Sequence, residues 1–135
     1  MPISNGLNHV ATLTTDMDRT VRFYEEAFGA VVTFEIPERD DHPWMKIVDV
    51  GGGAALNIFE VPEAALIGER RRQGGRGAID HFGLSVPDKA TLDAMVERLR
   101  AAGAQEVGEP QLLGGEWSLF FRDPDGMELE VCCPA

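Results

Sequence analysis

The chain carries one short pattern twice, and this internal repeat constrains its fold more than any other feature. LNHVAT near the start and IDHFGLS in the second half both read as strands, and each holds one histidine. An aspartate suited to capping a helix follows each histidine by seven residues, at Asp16 and Asp88, and Thr15 is an alternative cap in the first half. His9 and His81 lie 72 positions apart, and the two aspartates are separated by the same 72 positions.

Two pairs of glycines extend the repeat. Gly29 and Gly103 follow helical patterns in AFGA and AAGA, and they lie 74 positions apart. Gly53 and Gly126 precede the last strand-like segment of each half, with a separation of 73 positions. The four matches occur in the same order, and insertions of one or two residues explain why their separations vary from 72 to 74. We therefore interpret the two halves as copies of one unit.

Hydrophobic periodicity predicts the same element order, β-α-β-β-β, in both halves. The first half has a predicted strand at 7–13, a helix at 18–28, and strands at 30–37, 44–50 and 54–61. The second has a strand at 80–86, a helix between Asp88 and Gly103, and strands at 105–109, 116–122 and 127–133. The predicted fold class is therefore α+β, built from paired βαβββ modules with mixed sheets.

A glycine-rich and arginine-rich stretch, GERRRQGGRG, separates the two halves. It predicts a flexible linker over about 63–77, between a first module at about 5–62 and a second at about 78–133. We interpret its arginines as a solvated segment rather than an anion site. A length of 135 residues fits a single domain made of the two modules.

Charge and hydropathy exclude several function classes. The net charge of −11 disfavours nucleic acid as a partner, because phosphate binding requires clustered lysines and arginines. No apolar run approaches the roughly 20 residues of a membrane span, and no secretory leader is recognisable, so we expect a cytoplasmic protein without a membrane partner. The adjacent Cys132 and Cys133 point to opposite strand faces, so we expect two reduced thiols.

The repeat also predicts which side chains converge. On the strands of the second half, His81 and Glu130 lie on faces of small or polar residues, opposite faces that are apolar. The offset between Gly53 and Gly126, applied to Asn57, gives Glu130, so the two halves hold different residues at one matched position. If four strands of each half curl together, His9, Asn57, His81 and Glu130 share a cavity.

The chemistry of these residue types favours a metal site. An unpaired buried carboxylate costs several kcal/mol, and a divalent cation removes that penalty. Two imidazoles and one carboxylate form a facial set that leaves positions open for water or substrate. Without a thiolate, this set favours Fe(II), Mn(II), Ni(II), Co(II) or Zn(II) over a closed structural zinc. The predicted ligands are His9, His81 and Glu130.

Three stretches, LNHVATLTTDMDRTVRFYEEAFGA, IDHFGLSV and FFRDPDGMELEV, resemble the vicinal oxygen chelate superfamily over nearly the whole chain. That superfamily includes glyoxalase I, fosfomycin-resistance enzymes, extradiol dioxygenases, epimerases and bleomycin-binding proteins. The resemblance implies paired modules that form a cup around a divalent metal. It maps the metal ligands onto His9, His81 and Glu130, and it implies a homodimer.

The sequence departs from several subfamilies at positions that matter for chemistry. Asn57 stands where glyoxalase I has a glutamate that also serves as a base, and Glu60 lies on the other strand face. Phe120 replaces the tyrosine of extradiol enzymes, and Ala11 replaces the threonine of fosfomycin enzymes. These departures disfavour the usual chemistry of each subfamily and leave the substrate undefined.

We therefore expect a divalent-metal-dependent enzyme that acts on a small oxygen-chelating substrate by Lewis-acid catalysis. The predicted substrate-lining residues are Asn57, Trp117 and Phe120, and Glu128 is a candidate base. The alternative is a bleomycin-resistance-like binding protein that sequesters a drug or natural product, which the acidic composition suits. A third alternative is a regulatory homodimer in which the metal-ligand set is vestigial.

Overall fold

The computed structural model of the chain describes residues 1–66 and 79–135. The chain divides into two compact units, Met1–Leu66 and Ile67–Ala135. Of the predicted linker at about 63–77, the described part contains a short 3-10 helix at Glu63–Ala65, and the arginine cluster lies outside the described residues. No helix in the described ranges is long and apolar enough to cross a membrane.

The first unit has the predicted β-α-β-β-β order. Its elements are β1 at His9–Thr14, α1 at Met17–Phe28, β2 at Val31–Ile36, β3 at Met45–Gly51 and β4 at Ala54–Glu60. The four strands form one sheet in the order β1-β4-β3-β2. The β1 strand runs parallel to β4, whereas β3 is antiparallel to both of its neighbours, so the sheet is mixed.

The second unit repeats this topology. Its elements are β5 at Phe82–Ser85, α2 at Lys89–Ala102, β6 at Gln111–Leu113, β7 at Glu116–Arg122 and β8 at Glu128–Pro134. The sheet order is β5-β8-β7-β6, with β5 parallel to β8 and the remaining pairs antiparallel. Among the described residues, two mixed four-stranded sheets with one α-helix each confirm the predicted α+β class.

Both helices have the predicted caps, and α1 begins one residue before its predicted start at 18. Asp16 and Asp88 are the N-caps, and each side chain accepts a hydrogen bond from the backbone N–H three residues later, at 3.0 and 2.8 Å. Gly29 and Gly103 end the helices with φ values of 65° and 97°. This left-handed backbone favours glycine, which lacks a Cβ atom.

One predicted strand is wrong. No strand spans 105–109, because Glu106 has a φ of 48° and Gln105 forms only an isolated bridge with Arg122. The second strand of this unit is instead β6, which pairs with β7 across a tight turn at Gly114 and Gly115. The φ values of 59° and 87° in this turn match the twist of a two-residue hairpin, which sets the register of the strands.

Strand alternation separates a buried face of each sheet from a polar one. In the second unit Leu129 and Val131 of β8 are fully buried, on the face where α2 contacts β7 and β8. Glu130 lies between them in sequence, points to the opposite face and is half-buried. The first unit matches this, with Leu56 and Ile58 buried on either side of the half-buried Asn57.

Candidate functional site

Strand register gives Asn57 and Glu130 the same place in their respective sheets. In the first unit Ala11, two residues after His9, pairs with Asn57 across the parallel β1 and β4 strands. In the second unit Gly83, two residues after His81, pairs with Glu130 across β5 and β8. The two modules therefore hold matched positions next to the two histidines, one occupied by an amide and the other by a carboxylate.

The second unit brings three of the predicted site residues together. The Nε2 atom of His81 lies 3.3 Å from Oε2 of Glu130, and the two side chains are 33% and 17% exposed. The imidazole meets the ring of Phe120 edge-on, with 5.4 Å between ring centroids. Phe120 is itself the β7 partner of Glu130. His81, Phe120 and Glu130 therefore form a compact cluster on one face of the second sheet.

The other nitrogen of His81 is bound by the residue that precedes it. Its Nδ1 atom lies 2.7 Å from Oδ2 of Asp80. The hydrogen bond to Asp80 raises the pKa of His81 above its ordinary value; burial opposes that rise and the nearby charge of Glu130 adds to it. A carboxylate only accepts, so Nδ1 donates to Asp80 while Nε2 faces Glu130.

His9 lies in a different setting. It lines an open cleft of about 430 Å³ within the first unit, together with Asn57, Thr33 and Asp49. Its Nδ1 atom lies 2.8 Å from Oδ1 of Asn8. The lining includes no lysine or arginine among the residues that the structure describes. This part of the cleft therefore presents hydrogen-bonding groups and one carboxylate to a ligand.

Trp117 is not placed with the other substrate-lining candidates. It lies on β7 three residues before Phe120, so alternation puts it on the opposite face, shared with the buried Leu119 and Phe121. The ammonium group of Lys89 lies over its ring, 4.4 Å from the centroid. The structure thus assigns the indole to a contact with α2, away from the face of Glu130.

Two other glutamates have distinct places. Glu60, at the end of β4, accepts a hydrogen bond at 2.8 Å from the backbone N–H of Met17, in the first turn of α1. The positive N-terminal end of the helix favours a carboxylate at this position. The Glu60 side chain is therefore engaged on the face of β4 that lies away from Asn57. Glu128 is half-buried on β8, on the same face as Glu130.

Both cysteines are free, and neither adds a thiolate to the site. Cys133 is 2% exposed on the buried face of β8. Burial raises the pKa of the Cys132 thiol to about 12, with a further contribution from the adjacent Glu130. At neutral pH Cys132 is therefore a protonated thiol. This agrees with a ligand set made of imidazole and carboxylate only.

Each unit contributes part of the predicted metal-ligand set. The second unit supplies the adjacent His81 and Glu130, and the first supplies His9. Within each unit taken alone, the residues that the structure describes form no group of three or more His, Cys, Asp or Glu side chains that could hold a metal ion.

Sequence reasoning missed Asn8 and Asp80. Asn8 lies in the first of the two motifs that define the repeat, and Asp80 lies in the second. The two residues are 72 positions apart, as are the histidines that they contact. The sequence feature that could have identified them is an oxygen-bearing side chain directly before each histidine. It was missed because neither side chain is itself a predicted metal ligand.

Comparison with known proteins agrees with this architecture. A family model described as "Glyoxalase/Bleomycin resistance protein/Dioxygenase superfamily" matches residues 6–131. The chain belongs to this superfamily. Among solved structures, the glyoxylase/bleomycin resistance protein/dioxygenase domain from Frankia sp. EAN1pec is 28% identical, with a TM-score of 0.76. The match covers 98% of this chain and 99% of that one.

Superfamily relatives with curated names differ in their chemistry. Lactoylglutathione lyase GLX1 of Arabidopsis thaliana is 32% identical over 91% of this chain, which spans only 42% of that protein. Metallothiol transferase FosB of Shouchella clausii is also 32% identical, over 94% of this chain and 79% of its own length. A glutamate-to-glutamine mutant of the fosfomycin resistance protein FosX from Listeria monocytogenes was crystallised in complex with Mn(II) and a dihydroxypropylphosphonic acid. At 20% identity and a TM-score of 0.72, over 96% of this chain and 92% of that one, this last likeness shows the fold alone.

Proposed function

We propose that this chain is a divalent-metal-dependent enzyme of the superfamily, and that it acts on a small substrate which chelates the metal through two oxygens. The proposed metal ligands are His9, His81 and Glu130. The observation that carries the proposal is the 3.3 Å approach of His81 Nε2 to Glu130 Oε2, at a position that the repeat matches with Asn57 beside His9.

The donor set fits such an ion. Ligand atoms bound at about 2.1 Å and at right angles around one metal lie about 3 Å apart. The His81 and Glu130 donor atoms already have nearly this separation. A divalent cation also relieves the cost of a carboxylate that is only 17% exposed. Fe(II), Mn(II), Ni(II), Co(II) and Zn(II) all accept this combination of imidazole and carboxylate.

The bound ion supplies Lewis-acid polarisation of a substrate oxygen. The side chains around it have separate tasks in this proposal. Asn57 orients the substrate through its amide, which both donates and accepts hydrogen bonds and does not take up a proton. Phe120 packs against the His81 ring, with 5.4 Å between the ring centroids, and helps to fix the orientation of that ring. Glu128, on the same strand face as Glu130, is the candidate proton acceptor.

Metal content tests the proposal directly. The chain is purified without chelator, and a second sample is stripped and reconstituted separately with each of the five metals. We expect about one ion per chain, lost in Glu130→Gln. The matched control is Glu128→Gln, which changes a carboxylate on the same face of β8 and should keep the metal. Failure of the parent chain to bind any of the five metals tightly would overturn the proposal.

We further propose that the chain forms a homodimer. Mixed dimers reveal how the ligands are shared between protomers. If His9 comes from one protomer and the His81–Glu130 pair from the other, mixing His9→Ala with Glu130→Ala chains restores one complete site per mixed dimer. If one protomer supplies all three ligands, no mixture restores metal binding. Sedimentation velocity measures the oligomeric state independently, and a monomer at all concentrations would contradict the dimer.

A second candidate function is sequestration of a cationic drug or natural product. The net charge of −11 and the first-unit cleft, with Asp49 in its lining, favour it. Calorimetric titration of the metal-stripped chain with metal-free bleomycin tests it. Micromolar or tighter binding that Asp49→Asn weakens supports sequestration. Binding that requires the metal supports the enzyme instead.

A further inference from the structure

Each of the two candidate ligand histidines is contacted by the side chain of the residue directly before it. Oδ1 of Asn8 lies 2.8 Å from Nδ1 of His9, and Oδ2 of Asp80 lies 2.7 Å from Nδ1 of His81. Asn8 and Asp80 are separated by 72 positions, the spacing of the histidines themselves. The contact is therefore part of the repeated unit, present once in each module.

The chemistry of these oxygens determines which ring nitrogen carries the proton. A carboxylate oxygen and an amide carbonyl oxygen accept hydrogen bonds and do not donate them, so Nδ1 of each ring must be the donor. A neutral imidazole protonated at Nδ1 has its lone pair on Nε2. In the second unit Nε2 faces the Glu130 carboxylate at 3.3 Å, and this carboxylate also accepts hydrogen bonds. The contact of Nδ1 with Asp80 is shorter, at 2.7 Å, and therefore favours Nδ1 as the protonated nitrogen of the neutral ring.

We propose that Asn8 and Asp80 are a matched pair of positioning residues, which hold His9 and His81 in the Nδ1-protonated tautomer so that both present Nε2 to a metal. The metal part of this inference depends on the proposed function. The tautomer part concerns the metal-free chain and is tested separately.

The two positioning residues differ in charge, and this difference has a consequence. The Asp80 carboxylate increases the electron density of the His81 ring, whereas the Asn8 amide orients the His9 ring without adding charge. Losing an outer partner of this kind weakens metal affinity by about 10- to 100-fold. We expect Asp80→Ala to lie at the upper end of that range and Asn8→Ala at the lower end.

Long-range proton–nitrogen correlation spectra of the stripped, nitrogen-15-labelled chain report the tautomers. The sample is kept at a pH where the imidazoles are neutral. The chain has three histidines, and His42 serves as an internal reference because its Nδ1 lies 2.6 Å from the carbonyl oxygen of Pro43. We expect the parent chain to show protonated Nδ1 and unprotonated Nε2 at His9 and His81.

Alanine variants then remove one partner at a time. Asp80→Ala should shift His81 toward the Nε2-protonated form that is favoured in water, while His9 and His42 stay unchanged. Asn8→Ala should shift His9 toward the Nε2-protonated form in the same way, while His81 and His42 stay unchanged. Asp80→Asn and Asn8→Asp keep an oxygen acceptor and should keep the Nδ1-protonated form. This pattern is not produced by a general loss of structure. The control Asp93→Ala removes an acidic side chain that contacts Lys89 and should change no histidine.

Titration with Mn²⁺ and with Zn²⁺ completes the test. Weaker affinity in Asp80→Ala, restored in part by Asp80→Asn, supports the inference. Retention of the Nδ1-protonated form in both alanine variants overturns it. A shifted tautomer with unchanged metal affinity overturns the positioning role. A parent chain that takes up neither of these ions, nor any of the other three candidate metals, is a failure of the proposed function, and it is recognised without any variant.

Discussion

His81 presents its Nε2 atom to Oε2 of Glu130 at 3.3 Å, although the two residues are far apart in sequence. Glu130 lies on β8, and His81 lies directly before β5, which runs parallel to β8 in the second sheet. Because parallel neighbours need a crossover, the chain passes through α2, β6 and β7 before it returns beside β5. The contact is therefore a product of topology, and its chemistry is testable by substitution at either end.

Replacing His81 should remove metal binding and leave the fold intact. The side chain is 33% exposed, so His81→Ala leaves no large core cavity. The matched control is His42→Ala, because His42 belongs neither to the lining of the His9 cleft nor to the cluster of His81, Phe120 and Glu130. Metal content and circular dichroism are measured on both variants. Tight metal binding that survives in His81→Ala would count against the ligand assignment.

The raised pKa of His81 predicts opposite pH dependences for the metal-free and metal-loaded chain. The Asp80 hydrogen bond and the Glu130 charge raise this pKa above 6.5, and burial opposes them. In the metal-free chain, the stabilisation by protonated His81 is complete below 6.5 and is lost as pH rises through the raised value. A metal competes with the proton at Nε2, so metal binding strengthens as pH rises through the same range.

Thermal denaturation between about pH 6 and 8.5, with and without Zn²⁺, measures both trends. The difference between the two melting temperatures should grow with pH. Glu130→Gln removes a charge that raises the pKa of His81 and should reduce the pH dependence of the metal-free chain. A stabilisation by Zn²⁺ that is independent of pH would contradict competition at an imidazole.

Local features were predictable from the sequence because their determinants are local. The Asp16 and Asp88 caps and the Gly29 and Gly103 ends were all recognised, since each depends on a few neighbouring residues. The strand predicted at 105–109 was wrong because strand pairing here is not determined by the neighbouring residues alone. The hairpin turn at 114–115 sets which residues pair with β7, and these are Gln111–Leu113.

The candidate site was partly predictable because the repeat carries long-range information. The offset between the modules paired Asn57 with Glu130, and strand register gives them the same place. The aromatic candidate Trp117 was not predictable from residue type alone. Its odd spacing from Phe120 puts the ring on the face toward α2, where Lys89 covers it.

Asn57→Glu should strengthen metal binding. The residue is half-buried beside the cleft that His9 lines, in the register position that holds a carboxylate in the other module. A carboxylate is a far better ligand for a divalent cation than a neutral amide, so we expect a gain of about tenfold, or about 1.4 kcal/mol. Asn57→Ala is the control and should match the parent. Equal affinities in all three chains would place Asn57 away from the metal.

The buried faces of the sheets should dominate stability. Leu129 is 0% exposed on β8, against α2, so Leu129→Ala should lower the free energy of unfolding by about 2–5 kcal/mol. Leu112, 56% exposed on β6, provides the matched control, and its replacement by alanine should change stability by less than about 0.5 kcal/mol. Urea denaturation measures both values. A large loss in the Leu112 variant would instead indicate that β6 is covered in solution.

Gly83→Ala should stabilise the chain, because the repeat places an alanine, Ala11, at the matched position of the first module. The backbone of Gly83 is not left-handed, and an added Cβ would lie 3.5 Å from the Cys132 sulfur and 4.0 Å from the Cβ of Glu130, both ordinary contacts. Reduced freedom of the unfolded chain should then add about 0.4–1 kcal/mol to the free energy of unfolding.

Gly103→Ala is the matched control, since its φ of 97° is unfavourable for any residue with a Cβ atom. That variant should lose about 1–2 kcal/mol. Urea denaturation of both variants, together with metal affinity, separates the backbone effect from the site. If Gly83→Ala destabilises the chain as much as Gly103→Ala does, then β5 lies too close to β8 to accept a methyl group at position 83. The two modules would then differ at the strand beside Glu130, against the equivalence of Gly83 and Ala11.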